Sequence, residues 1–166
     1  KGKKADLSNT NLQNVDLSLS DLTEADISNS LLNNANLFGV NLTSAKLYGS
    51  NLSNANLYFS ILINSGLMGT LMCEAKIDGA NMRKANLCCA NLCEATMIGA
   101  NMYGTNLCTA ILHNTNLSKA YMSETDLSGA DLYKATLVGA NLIDANLHKT
   151  ILREANLTKA FLRGVN

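Results

Sequence analysis

The chain has 166 residues, 13 basic and 13 acidic side chains that cancel, and 47% hydrophobic residues with neither proline nor tryptophan. That length suffices for one domain. The charge balance speaks against a general nucleic-acid binder, and no run of 18 apolar residues offers a membrane span.

Lys1-Gly2-Lys3-Lys4 is a short lead-in that runs into repeats rather than into an apolar secretion segment. From Leu7 to Leu162 every fifth residue is Leu, Met or Ile, without a slip of register. Two positions earlier, from Ala5 to Val165, stands Ala, Ser, Thr or Val. Between the two, 21 of 33 residues are Asp or Asn. The unit therefore reads small, Asn/Asp, Leu, and two variable residues.

A period of five fits neither a continuous strand, on which residues five apart face opposite ways, nor an α-helix, on which successive Leu would spread around the axis. If three residues are extended and two turn a corner, the small residue and the Leu face inward while the Asn/Asp faces out. Each unit is then one short side of a coil. The second corner residue is often Gly (Gly39, Gly49, Gly69, Gly79) or Asn (Asn9, Asn14, Asn54, Asn64), which suits the positive φ of a type II turn. Glu24, Phe59, Lys84 and Lys134 fit that turn poorly, and a different geometry is expected there. One side cannot bury its Leu alone, so coils must stack Leu on Leu through parallel ladders. Crossover chirality makes the coil right-handed.

The units Ala5-Asp6-Leu7-Ser8-Asn9, Ala35-Asn36-Leu37-Phe38-Gly39 and Ala130-Asp131-Leu132-Tyr133-Lys134 closely resemble the pentapeptide-repeat proteins. The resemblance covers residues 5–166 and implies a single all-β domain, a right-handed quadrilateral parallel β-helix of about eight four-sided coils. At about 4.8 Å per coil the rod would be roughly 35–40 Å long. Leu7, Leu12, Leu37, Leu57, Leu87, Leu107, Leu132 and Leu157 are expected in its core.

Four units per turn place residues twenty apart in one column. From 57 to 71 the outward apolar residues thicken, and Gly66 replaces an Asn/Asp. Tyr58, Phe59, Ile61 and Ile63 are the candidate surface for a protein partner, because apolar residues there face water and nothing in the coil requires them. Leu31, Leu71, Ile111 and Ile151 share one column every forty residues, which suggests a two-coil duplication.

Further along, Cys73, Cys93 and His113 share a column, Cys88 and Cys108 share the next, and Cys89 lies at the corner between. Cys73, Cys93 and His113 could ligate a soft metal, but three ligands in a line suit a tetrahedron badly. In-register side chains also orient badly for disulfides, so free thiols are expected. His113 and His148 lie on neighbouring columns with no catalytic motif around them, and both are expected on the surface. No enzyme activity, cofactor or resident metal is expected.

Acids at Asp6, Asp16, Asp21, Glu24 and Asp26 mark the first coils, and bases at Lys119, Lys134, Lys149, Arg153, Lys159 and Arg163 mark the last. This polarity and the uncovered coil ends admit end-to-end pairing of two copies. The start without Met and the stop within a unit at Val165-Asn166 point to the ordered part of a longer protein.

The resemblance implies a non-enzymatic interaction scaffold in a bacterial, cyanobacterial-type setting. A cytoplasmic location is expected, or the thylakoid lumen or periplasm if a targeting segment has been removed. Some members of the family resemble duplex DNA and bind gyrase, conferring quinolone protection. That alternative calls for a strongly anionic rod, whereas acids cluster here only near residues 6–26. A thiol- or metal-binding solenoid is the third reading.

Overall fold

The computed structural model describes residues 4–166. Parallel bridges join residues twenty apart from Asp6↔Asp26 through Ile61↔Asn81 to Asn141↔Phe161. Four five-residue sides therefore complete each turn of a right-handed quadrilateral β-helix. Coil 1 is 5–24, coil 2 is 25–44, and so on to coil 8 at 145–164. Sides 1 to 4 are those centred in coil 1 on Leu7, Leu12, Leu17 and Leu22. Of the lead-in, only Lys4 is among the described residues, and it forms an ion pair with Glu24.

In the consensus unit of an inner coil every backbone N–H has a destination, which is the accounting a buried chain must satisfy. In side 3 of coil 3, Leu57 N–H donates to the Lys76 carbonyl at 2.7 Å and Phe59 N–H to the Asp78 carbonyl at 3.1 Å, both on the next coil. Ile61 N–H donates back to the Val40 carbonyl at 2.9 Å. The small residue closes the corner, as Ala25 N–H does on the Leu22 carbonyl at 3.0 Å. The remaining N–H, on the first corner residue, is taken by the Asn/Asp side chain two residues earlier: Ser28 N–H donates to Asp26 Oδ1 at 3.1 Å and Cys108 N–H to Asn106 Oδ1 at 2.9 Å. Asn/Asp recurs at the middle position because it completes this set, a role beyond merely facing water.

Inside, the Leu, Met and Ile columns run beside columns of Ala. Leu37, Leu57, Leu87, Leu107 and Leu132 are fully buried, each contributing about 1.5–3 kcal/mol. Leu7, Leu12 and Leu157 pack on this core but are only partly buried, because the end coils have a coil on one side only. Buried hydroxyls in the small position bond to backbone carbonyls, as Ser50 Oγ does to Leu47 at 2.6 Å and Thr105 Oγ1 to Met82 at 2.8 Å. Among the described residues, Ser60 Oγ is the buried hydroxyl left without such a partner.

The corners correct one expectation. Glu24 (φ 60), Phe59 (φ 56), Lys84 (φ 56) and Lys134 (φ 57) share the left-handed conformation of Asn9 (φ 56) and Gly39 (φ 60), and no separate turn geometry appears. A single left-handed residue costs roughly 1–2 kcal/mol. The ladder bond and the corner-closing bond it permits at each corner outweigh that cost. The stretch 57–71 keeps the same ladder, and Gly66 bridges both Lys46 and Asn86. A Cβ on Gly66 would lie 2.3 Å from the Tyr48 ring, so glycine there makes room for that tyrosine from the coil before.

Candidate functional site

The corner between sides 3 and 4 carries the largest aromatic cluster. Phe59 extends from a left-handed corner and is 64% exposed. Its ring lies over Gly79, where a Cβ would meet Phe59 Cε1 at 2.6 Å. Phe38, 39% exposed, packs edge-on to Phe59 with centroids 6.1 Å apart, and Tyr58 lies 6.4 Å away on the other flank. Two coils below Phe59, Leu19 is 75% exposed and lies over Gly39 in the same way. Large residue and glycine thus alternate down this corner as Leu19, Gly39, Phe59, Gly79, producing an apolar ridge across coils 1 to 4.

Of the four residues singled out from the sequence, Tyr58 and Phe59 meet at this corner. Ile61 is 36% exposed on side 4, and Ile63 is half-buried at the following corner. Leu19 and Phe38 escaped the sequence reading, although the forty-residue alternation with Gly39 and Gly79 was a usable signal. Asp78 forms the floor beside Tyr58. It takes Ile98 N–H at 2.6 Å and Thr96 Oγ1 at 3.1 Å. Burial first, and then Asp78, pushes the Tyr58 phenol above its usual range.

The cysteines overturn the expectation of free thiols throughout. Cys88 and Cys108 form a disulfide between coils 5 and 6, with Cα atoms 4.7 Å apart. In-register stacking, which looked unfavourable for the bond, sets that Cα separation inside the range a disulfide can span. Cys73, Cys89 and Cys93 are free, and Cys89 Sγ lies 3.5 Å from Cys88 Sγ.

His113, expected on the surface, is half-buried. Its Nε2 lies 2.8 Å from Asp131 Oδ2 and its ring packs edge-on to Tyr133 at 5.8 Å. The imidazole engages Asp131 on the next coil, and among the described residues no three His, Cys, Asp or Glu side chains are grouped to hold a metal. His148 is exposed. The His113 bond, ahead of the smaller opposing effect of burial, lowers the Asp131 carboxyl. Arg153 and Lys134 each stand 5.0 Å from the Tyr133 ring centre. His113, Asp131, Tyr133, Ile151 and Arg153 line a shallow cavity. A second one lies between Arg83, Tyr103 and Tyr121.

Charge is locally mixed. Lys46 follows Asp6 and Asp26 in the side 1 column and pairs with Asp26 at 3.2 Å, while Glu154 lies 3.7 Å from Lys134 and 3.6 Å from Arg153. The carboxyls of Asp16, Asp21 and Asp26 are held below their usual range, chiefly by the side chains of Ser18, Thr23 and Ser28 and next by the backbone N–H of the same residues. Among the described residues no helix is long and apolar enough to cross a membrane.

Comparison with solved structures gives the same coil elsewhere. HetL, a pentapeptide repeat protein involved in heterocyst differentiation regulation from the cyanobacterium Nostoc sp. strain PCC 7120, is 27% identical, with 98% of this chain and 86% of that chain covered at a TM-score of 0.66. Trypsin-treated QnrB1, a plasmid-mediated fluoroquinolone resistance protein, is 21% identical over 98% of this chain and 89% of that chain at a TM-score of 0.67, a likeness of fold. No curated protein sequence matches. The family model for pentapeptide repeats matches residues 3–39, 35–72, 75–114, 110–148 and 130–166. With twenty-residue bridging along the whole rod, these matches establish that the chain belongs to the pentapeptide-repeat family.

Proposed function

We propose that this scaffold binds a protein partner along the corner ridge of Leu19, Phe38 and Phe59, with Tyr58 and Ile61 at its edge. The supporting observation is that Phe59 is exposed although its position demands nothing apolar, and that Gly79 leaves space for its ring. Exposed apolar side chains in contact with one another mark interfaces more often than isolated ones do. The rod supplies a rigid frame, so the ridge is ordered before binding and loses little entropy on contact.

Affinity capture from the native source should separate wild type from the Tyr58→Ala/Phe59→Ala/Ile61→Ala variant. Loss of one partner with an unchanged circular dichroism spectrum supports the reading, and unchanged capture retires it. A gyrase-binding DNA mimic calls for an unbroken acidic stripe, which Lys46 interrupts in the side 1 column. A gyrase supercoiling assay tests that reading separately.

A further inference from the structure

Cys73 and Cys93 repeat the relationship of Cys88 and Cys108 one side further round the coil. Both pairs occupy first-corner positions twenty residues apart, and the coils that carry them are in the same ladder register. One pair is closed and the other is open. Both open cysteines are half-buried rather than sealed in the core.

The corner at Cys73 is also the less constrained. Cys93 N–H is held by Asn91 Oδ1 at 3.1 Å and Cys88 N–H by Asn86 Oδ1 at 3.1 Å, whereas Leu71 stands two residues before Cys73 and has no side-chain acceptor to offer.

We propose that Cys73 and Cys93 are a reactive dithiol that reduces low-molecular-weight disulfides and closes into a second bond between coils. The Cys73 thiolate attacks one sulfur of glutathione disulfide. The S–S bond of the reagent breaks, one glutathione thiolate leaves, and a mixed disulfide forms on Cys73. Cys93 then gives its proton to solvent and attacks the Cys73 sulfur, forming the Cys73–Cys93 bond and expelling the second glutathione as thiolate. Two protein thiols are oxidised and one reagent disulfide is reduced. Burial, followed by the neighbouring Cys73, raises the Cys93 thiol, in keeping with its role as the resolving cysteine. The product carries staples on adjacent sides, one between coils 4 and 5 and one between coils 5 and 6.

The experiment uses the Cys89→Ser protein, which leaves Cys73 and Cys93 as the only free thiols. After incubation with glutathione disulfide, peptide mapping without reductant should show a Cys73–Cys93 cross-link, loss of both free thiols and no retained glutathione. Adding Cys93→Ser should trap glutathione on Cys73. Retention of both thiols in excess reagent, or separate glutathione adducts on Cys73 and Cys93 without a cross-link, overturns the proposal. The readout in the Cys89→Ser protein decides the matter even if the double variant folds poorly.

Discussion

Asp78 Oδ1 accepts the Ile98 N–H at 2.6 Å across two coils, replacing the bond that Asn or Asp at position 96 would have made within one. Thr96 occupies that position and itself donates to Asp78 Oδ2. A departure from the repeat is thus compensated by a side chain twenty residues away. Asp78→Ala should cost about 1–3 kcal/mol, the usual range for losing hydrogen bonds to a charged acceptor. Thr96→Asn added to that variant restores a local acceptor and should recover at least half of the loss in urea denaturation.

The two roles of corner glycine can be separated. Gly69 and Gly79 both have positive φ, but a Cβ on Gly69 has nothing within 4 Å while one on Gly79 meets the Phe59 ring at 2.6 Å. Gly69→Ala should carry only the backbone cost of about 1–2 kcal/mol. Gly79→Ala should cost more, and the excess should vanish when Phe59→Ala is combined with it. Thermal unfolding of the four proteins measures this coupling.

Ser60 is a small-position residue whose buried hydroxyl lacks a partner. An unmade hydrogen bond of this kind costs about 1–3 kcal/mol, and Ala is the commonest occupant of the position. Ser60→Ala should therefore leave stability unchanged or raise it, whereas Ser50→Ala, which removes a bond of 2.6 Å, should lower it. The denaturation midpoints should move in those opposite senses.

The lowered carboxyls of Asp16, Asp21 and Asp26 set a direction for acid stability. A carboxyl with a lower value in the folded than in the unfolded chain contributes stability that is fully present above the unfolded value of about 3.9, and is lost as pH falls through the folded value. The melting temperature should therefore fall below about pH 4. Replacing all three by Asn keeps an acceptor for the corner N–H but removes the titration, so the same melting series should flatten.

Much of this molecule was readable from spacing alone, because a five-residue period with only small residues two before each Leu admits few ways to bury both. The left-handed corners at Glu24, Phe59, Lys84 and Lys134 were not readable, since local preference opposes them and only the ladder bonds to the next coil decide the matter. The column of Cys88 over Cys108 followed from the period of twenty. Its closure did not, because that depends on where corner side chains point. Phe59 was found from its chemistry, while Leu19 and Phe38 were missed because each looked like an isolated apolar residue until the coils brought them into line.

Every column invoked above depends on four sides per turn, and a distance between spin labels tests that most directly. Labels at Ser8→Cys and Ser128→Cys, with the native cysteines replaced by serine, stand in one column six coils apart. Electron–electron double resonance should give a narrow distribution near about 29 Å, from about 4.8 Å per coil. A separation near about 38 Å, as three sides per turn would give, or near about 23 Å, as five would give, would contradict the architecture and every contact between coils described for it.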